Sequence, residues 1–360
     1  VIPDGVTGIE HRAFSGCTSL TSITIPDSVT KIDSWAFKGC SSLTGIDIPA
    51  SVGVVSANAF GNCSSLASVT INNGITAIGY GAFENCSALE EIIIPASVET
   101  IGYAAFGWCD SLTTVTLNEG LVRIDDSAFD YCPKLAEISI PASVTYIGYD
   151  AFYGCGALKT VNIGGNENLT IDARAFRDCI ALEAINVDEA NTNYSSENGV
   201  LFNKDKTVLI KYPAGKSDTS YEIPDGVETI GQQAFYYAQN LESITMTDSV
   251  RVIQYNAFYY CSKLSEITIS DNIELVSGNV FGGTLLDDKY DEDGALYVDN
   301  IFFEIRRDLE TPVTEYEIKD GTVYIMPGAF SSIASLTEVT IPASVKVIAA
   351  NAFAQCQKLA

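Results

Sequence analysis

Apolar and polar positions along this chain repeat on a period of about twenty-three residues. Phe14, Phe37, Phe60, Phe83, Phe106, Phe129 and Phe152 follow one another at an unbroken spacing of 23. Phe176, Phe235, Phe258, Phe281, Phe330 and Phe353 continue the series at longer or equal intervals, and twelve of the thirteen follow Ala. Between these markers the pattern alternates. In Leu43-Thr-Gly-Ile46-Asp-Ile48-Pro49, Ile46 and Ile48 lie two apart and point to one side, as in a pleated strand, and Pro49 ends the ladder because it has no N–H to donate. Val52 to Val55 predicts a second short extended piece. Ser56 to Cys63 is too short for a free helix and predicts one helical or 3₁₀ turn. A single unit of this kind cannot bury its apolar side, whereas stacked units bury a continuous ladder of Phe, Leu and Ile. The expected fold is α/β but β-rich: a right-handed solenoid with a concave parallel sheet and a short helical turn in each repeat.

The ten cysteines look at first like a disulfide framework, yet each of them, from Cys17 and Cys40 to Cys261 and Cys356, stands three residues after a repeat Phe. Where Cys is missing the slot holds Ala238, Thr284 or Ile333, so the position reads as packing. Thiols in a line and pointing one way are poorly placed for disulfides or for a converging zinc site, and buried free thiols are the expectation.

The period breaks twice. Phe176 to Phe235 spans 59 residues and Phe281 to Phe330 spans 49. Both stretches contain Gly followed by a short apolar strand, a polar turn and a returning strand: Gly199-Val-Leu-Phe202 with Thr207 to Pro213, and Gly294-Ala-Leu-Tyr297 with Ile301 to Ile305. They predict two β-hairpin insertions, in longer repeats near residues 188–222 and 287–317, with the period resuming after each. No linker separates the parts, so residues 1–360 are expected to form one domain. Both ends fall inside the repeat, which points to a fragment trimmed from a longer protein, with any signal, anchor or cap outside it.

The unit Ile94-Pro95-Ala-Ser97-Val98, Ile101-Gly102, Ala105-Phe106, Cys109, Leu112, Val115 and Leu117 resembles the BspA-like leucine-rich-repeat family of bacterial surface proteins. Gly199-Val-Leu-Phe-Asn-Lys-Asp-Lys with Tyr212-Pro213-Ala-Gly-Lys216 resembles the long repeats of that family. The resemblance covers essentially the whole chain. It implies a secreted or surface-anchored protein that acts in adhesion, with a host or bacterial surface protein as partner, and it supplies no catalytic residues to carry over.

Charge narrows the partners. With 46 Asp and Glu against 20 Lys and Arg, the formal charge is −26, which repels phosphate backbones and anionic lipid and argues against nucleic acid. No apolar run approaches the roughly 20 residues of a membrane helix. The lone histidine, His11, sits in a variable slot just upstream of Phe14 and reads as solvent-facing. No Gly-rich phosphate loop opens a helix, so neither a cofactor nor an enzymatic activity is expected. The acidic stretch Asp287 to Gly294 invites a calcium reading, but an EF-hand register counted from Gly294 would begin at Lys289 and end at Asn300, where acids are required. It reads as a solvated loop, and no metal is expected.

Two rows of variable positions remain. Outward strand residues expected on the concave face include Glu91, Thr114, Thr116, Glu137, Ser139, Thr160, Asn162, Glu266, Thr268 and Glu338. They make a polar, mildly acidic face suited to a basic or hydroxyl-rich partner, although Thr and Ser are also simply good outward strand residues. An aromatic stripe gathers Tyr80, Tyr103, Trp108, Tyr131, Tyr149 and Tyr153, with Tyr236, Tyr237, Tyr255, Tyr259 and Tyr260 further on. Tyr and Trp suit contact surfaces and sugar rings, and lateral packing between coils accounts for them equally. The functional expectation is a non-catalytic binding module for a protein, with carbohydrate recognition or a passive spacer as the other readings.

Overall fold

The computed structural model describes residues 2–307 and 311–360. Residues 308–310, inside the second long stretch, lie outside the described residues. The chain groups into two compact units, Val1–Asp205 with Pro213–Lys216, and Lys206–Tyr212 with Ser217–Ala360.

In the first unit the short strands Val54–Val55, Ala77–Ile78, Thr100–Ile101, Arg123–Ile124, Tyr146–Ile147 and Thr170–Ile171 form one parallel sheet in sequence order. Its register is strict: Ile78 pairs with Ile101 and Ile124 with Ile147, so each coil repeats the last. The longer strands come in smaller groups: Gly45–Ile48 with Ser68–Ile71, Glu91–Ile94 with Thr114–Leu117, and Glu137–Ile140 with Thr160–Ile163 and Ala184–Val187. Alternate residues of these strands are buried because the sheet has one face on the core and one in water; in Glu91–Ile94, Ile92 and Ile94 are buried while Glu91 and Ile93 are exposed. The second unit repeats the scheme with Ser220–Glu222, Ser243–Thr245 and Glu266–Thr268 in one sheet and Glu315–Glu317 with Glu338–Thr340 in another.

The core is a column of stacked rings. From Phe14 to Phe176 successive Phe centroids are 5.1–5.5 Å apart. In the second unit the column starts at Tyr212, 5.1 Å from Phe235, and includes Phe302, 4.8 Å from Phe330. Each cysteine with a coil before it donates its thiol to the carbonyl of the Phe one coil earlier. Cys40 Sγ lies 3.2 Å from the Phe14 oxygen, Cys132 Sγ 3.2 Å from that of Phe106, and Cys261 Sγ 3.0 Å from that of Phe235. Eight of the ten thiols are buried; Cys356 is partly open and Cys17, in the first coil, is exposed, so the expectation of a wholly buried row holds only where a neighbouring coil covers each side. The Ser of Pro-x-Ser-Val is a second rung. Ser97 donates to the Ile75 carbonyl at 2.7 Å and accepts from the Gly74 N–H at 2.9 Å. Where Asn replaces the strand-ending Pro, its amide serves the preceding coil instead: Asn118 Nδ2 donates to the Ile94 carbonyl at 2.8 Å.

The expected helical turn in each repeat does not form; the one helical piece among the described residues is the 3₁₀ turn Ala50–Val52. The reason is local. Asn58 and Asn62, on either side of Phe60, have φ of 53° and 60°, left-handed conformations that interrupt a right-handed helix. The N–H groups of Asn58, Phe60 and Asn62 turn outward to the carbonyls of Tyr80, Ala82 and Glu84 in the next coil, at 2.7, 2.8 and 2.7 Å. Backbone donors that a helix would use internally therefore become a third ladder between coils.

The two hairpin insertions are also corrected. Val200–Asn203 has an antiparallel partner in Tyr194–Glu197, so a turn lies at Asn198-Gly199, upstream of the expected one, and the Gly199 carbonyl accepts the Ile185 N–H at 2.9 Å. Val208–Lys211 runs parallel to Thr229–Ile230. Ala295–Val298 is antiparallel to Ile301–Ile305, whose Ile301 and Phe302 pair in parallel with Tyr324 and Ile325. Neither stretch is an appendage to an otherwise unbroken coil, because its last strand finds backbone partners on the following coil and is itself a rung.

Candidate binding surfaces

The strand row stands on regular elements. In the first unit Glu91, Thr114, Thr116, Glu137 and Ser139 are exposed and Thr160 and Asn162 half-buried; Glu266, Thr268 and Glu338 are exposed in the second. Register places Glu91 beside Thr114 and Glu137 beside Thr160. Asn162 donates to Ser139 Oγ at 3.4 Å and accepts from Asn186 Nδ2 at 3.0 Å, a polar ladder along the face. Glu266 lies beside Ser243, and Glu338 beside Glu315. Thr114–Leu117 and Glu137–Ile140 belong to separate sheets, and an open groove of about 520 Å³ runs between them, lined by Thr114, Thr116, Glu137 and Ser139.

The aromatic stripe resolves into smaller groups. Tyr80 and Tyr103 stack at 5.2 Å and are 53% and 46% exposed. Trp108 and Tyr131 stack at 4.0 Å, and Tyr131 meets Tyr153 edge-on at 4.9 Å with their hydroxyls 3.2 Å apart. Tyr149 and Tyr153 carry the guanidinium groups of Arg174 and Arg177, each 4.2 Å from the ring centroid. In the second unit Tyr236 packs on Tyr237 and Tyr259, and Tyr260 on Tyr237 and Tyr259, while Tyr255 is exposed. Lateral packing thus occupies much of the stripe. Trp108, Tyr131, Tyr237 and Tyr260 have φ of 50–62°, at a slot that other coils fill with Gly16, Gly39 or Gly154. A side chain there costs on the order of 1 kcal/mol, so these rings are kept against a backbone preference.

The remaining candidate groups are engaged or isolated. His11 is exposed, 6.2 Å from Trp35. Burial pushes the thiols of Cys86 and Cys261 up to about 12, which suppresses the nucleophilic thiolate. In the acidic stretch, Asp291 accepts the N–H groups of Asp293 and Ala295 and pairs with Lys319 at 2.8 Å. Among the described residues no group of three His, Cys, Asp or Glu is arranged to hold a metal, and no helix is long and apolar enough to cross a membrane.

No curated protein matches the chain. Solved structures do. A leucine-rich cell surface protein from Faecalibacterium prausnitzii A2-165 is 30% identical with a TM-score of 0.57, over 99% of this chain and 82% of that one. A leucine-rich repeat protein from Eubacterium ventriosum ATCC 27560 is 28% identical with a TM-score of 0.59, over 82% and 78% of the two chains. One from Bacteroides ovatus ATCC 8483 is 26% identical with a TM-score of 0.59, over 92% and 81%. The family model described as BspA type leucine rich repeat region matches in six copies, over residues 1–110, 77–203, 214–289 and 309–360. With the stacked parallel strands and the Phe and Cys columns, these matches establish that the chain belongs to the BspA-type leucine-rich-repeat family.

Proposed function

We propose that this chain is a non-catalytic, extracellular or cell-surface adhesion module, acting as one leucine-rich-repeat domain, that recognises a protein partner through its outward strand row. The observation that carries this reading is the strand row itself: side chains at fixed spacing on parallel strands, most of them exposed, rich in Glu and Thr. On a chain of net charge −26 such a face favours a basic partner by attraction and by faster encounter. This reading puts the row on the concave side, where solenoids present extended binding surfaces. Membership of a family that includes a cell surface protein supports the location. The isolated His11 and the buried thiols support the absence of catalysis. Biolayer interferometry on a captured protein ligand tests the reading. Replacing Glu91, Glu137, Glu266 and Glu338 by Lys should weaken binding at least about tenfold, through charge reversal across the contact. Unchanged capture would remove the strand row from consideration.

Carbohydrate recognition is a second reading, favoured by the exposed rings of Tyr255 and Tyr260 in the second unit. A glycan array addresses it: binding that survives Tyr236→Ala with Tyr260→Ala would count against the stripe. Binding to neither class would leave a spacer that presents another domain.

A further inference from the structure

Thr114–Leu117 and Glu137–Ile140 lie on successive coils, yet they are not joined as their outer neighbours are. Glu91–Ile94 pairs in parallel with Thr114–Leu117, and Glu137–Ile140 with Thr160–Ile163, but no ladder joins the two pairs. The backbone just before the strands shows the same break. Thr113 N–H reaches the Glu90 carbonyl at 2.9 Å and Lys159 N–H reaches the Ala136 carbonyl at 2.8 Å. Among the described residues the Ala136 N–H makes no such bond to Thr113. Both residues line the groove of about 520 Å³ that opens along this seam, so a main-chain donor and acceptor are left to whatever enters it. A like break separates Ser68–Ile71 from Glu91–Ile94, but there the bulky Ile93 stands in the slot that Ser139 holds here.

Four exposed side chains wall the groove: Thr114 and Thr116 on one strand, Glu137 and Ser139 on the next. Each pair is two residues apart. That step along a strand is about 6.7 Å, which is also the side-chain repeat on one face of an extended peptide. One end of the slot therefore offers the Glu137 carboxylate beside the Thr114 hydroxyl. Glu137 forms no ion pair among the described residues, and its partner in register is Thr160. The other end offers the hydroxyls of Thr116 and Ser139. Ser139 Oγ accepts the Asn162 amide at 3.4 Å, which leaves its own proton to donate.

We propose that this groove holds an extended segment of a basic protein partner, lying along the strands. A basic side chain of the segment meets Glu137, and a small hydroxyl residue two places away sits between Thr116 and Ser139. The charge of the segment follows from Glu137 and from the overall −26. Its extended form follows from the matching repeat and from the main-chain groups at the seam, which a peptide backbone can pair. The proposal rests on the strand-row reading and narrows it to two strands.

The probe is a capped peptide, Thr-Arg-Val-Ser-Thr, titrated into the isotope-labelled protein and followed by backbone amide NMR. Salt is held at about 150 mM, where attraction between exposed charges is screened beyond roughly 8 Å. Saturable shifts are expected at Thr113 to Leu117 and at Ala136 to Ser139. Exchanging the central pair to give Thr-Arg-Ser-Val-Thr keeps composition and charge but breaks the spacing, and should weaken binding several-fold. Thr116→Val, which keeps the shape and removes a hydroxyl, should also weaken it several-fold. Glu137→Gln should weaken binding about tenfold, whereas Asp225→Asn, which removes the same charge in the other unit, should change it less than about twofold. Equal affinity for the two peptides, retained affinity in Glu137→Gln, or the absence of saturable shifts at the groove overturns the proposal. If Glu91→Lys, Glu266→Lys and Glu338→Lys, all outside the groove, weaken capture of the protein ligand while the peptide leaves these amides unmoved, the strand row stands and the groove is refuted.

Discussion

Phe106→Ala tests whether the stacked rings are what hold neighbouring coils together. Phe106 is fully buried, with Phe83 and Phe129 each 5.3 Å away on its two faces. Truncating a buried Phe costs about 3–5 kcal/mol, a sum of lost transfer energy and residual cavity. The two ring contacts contribute about 0.5–1.5 kcal/mol each beyond area. A rigid stack closes poorly over the gap, so the loss should fall near the middle of that range, about 4 kcal/mol. Phe14→Ala provides the internal comparison. Phe14 is half-exposed and has one stacked neighbour, Phe37 at 5.1 Å, so about half the loss is expected, roughly 2 kcal/mol. Both variants are unfolded in urea and followed by circular dichroism. The curves are fitted with a nearest-neighbour model, because repeat proteins need not unfold in one step. Equal losses at Phe14 and Phe106, or a loss below about 1 kcal/mol at Phe106, would refute the idea that the column supplies the stability between coils.

Three further outcomes are expected. Thiol titration of the native protein at pH 8 should modify Cys17 quickly and Cys356 slowly, and the other eight only on unfolding; rapid reaction of more than two thiols would contradict the packing of the column. Asp130→Asn should stabilise the protein at pH 7.5 and make little difference near pH 4. Folding raises this carboxyl from 3.8 to about 6, so the folded state holds the proton more tightly, and stability is lost as pH rises through that window. Full burial would make that rise worth about 3 kcal/mol; with Asp130 half-exposed, screening leaves about 1 kcal/mol, measured by denaturation at both pH values. A variant less stable than the parent at pH 7.5 would reverse the sign of that argument. Ser97→Ala removes one donor and one acceptor between coils and should cost about 1–2 kcal/mol in the same assay, whereas an unchanged midpoint would demote the serine rung.

The period, the alternation in the long strands and the packing role of most cysteines were legible because each follows from spacing alone. Tyr212 was a rung that spacing could have revealed, standing 23 residues before Phe235, but a search keyed to Phe passes over Tyr. Phe302 lies 28 residues before Phe330, and only the fold shows that the two rings stack. The expected helical turn failed because composition does not reveal which residues adopt positive φ: Asn58 and Asn62 are frequent there, yet Trp35, Ala104 and Ser127 do the same. For the candidate surfaces, outward direction was readable from strand alternation. Which rings cover one another was not, since the 4.0 Å contact of Trp108 with Tyr131 and the arginines over Tyr149 and Tyr153 depend on side-chain reach between coils.

The three ladders between coils have a bearing on how such a chain can change its length. Thiol to Phe carbonyl is a step of 26 residues, Ser to carbonyl a step of 22, and turn N–H to the next coil again a step of 22. An added residue inside a rung-bearing segment would shift donors past their acceptors at that junction between coils, although the coils beyond it would still pair with one another. The one extra residue between Phe152 and Phe176 illustrates what is permitted. Cys179 still reaches the Phe152 carbonyl, now a step of 27, and the stretch Gly164-Gly165-Asn166 between strands lies within that longer coil, with Asn166 donating to the carbonyls of Ala142 and Val144. Insertions and deletions in this lineage should therefore come as whole coils, or else collect in the short stretches after the long strands, where a side-chain amide can splice the ladder across a change in count.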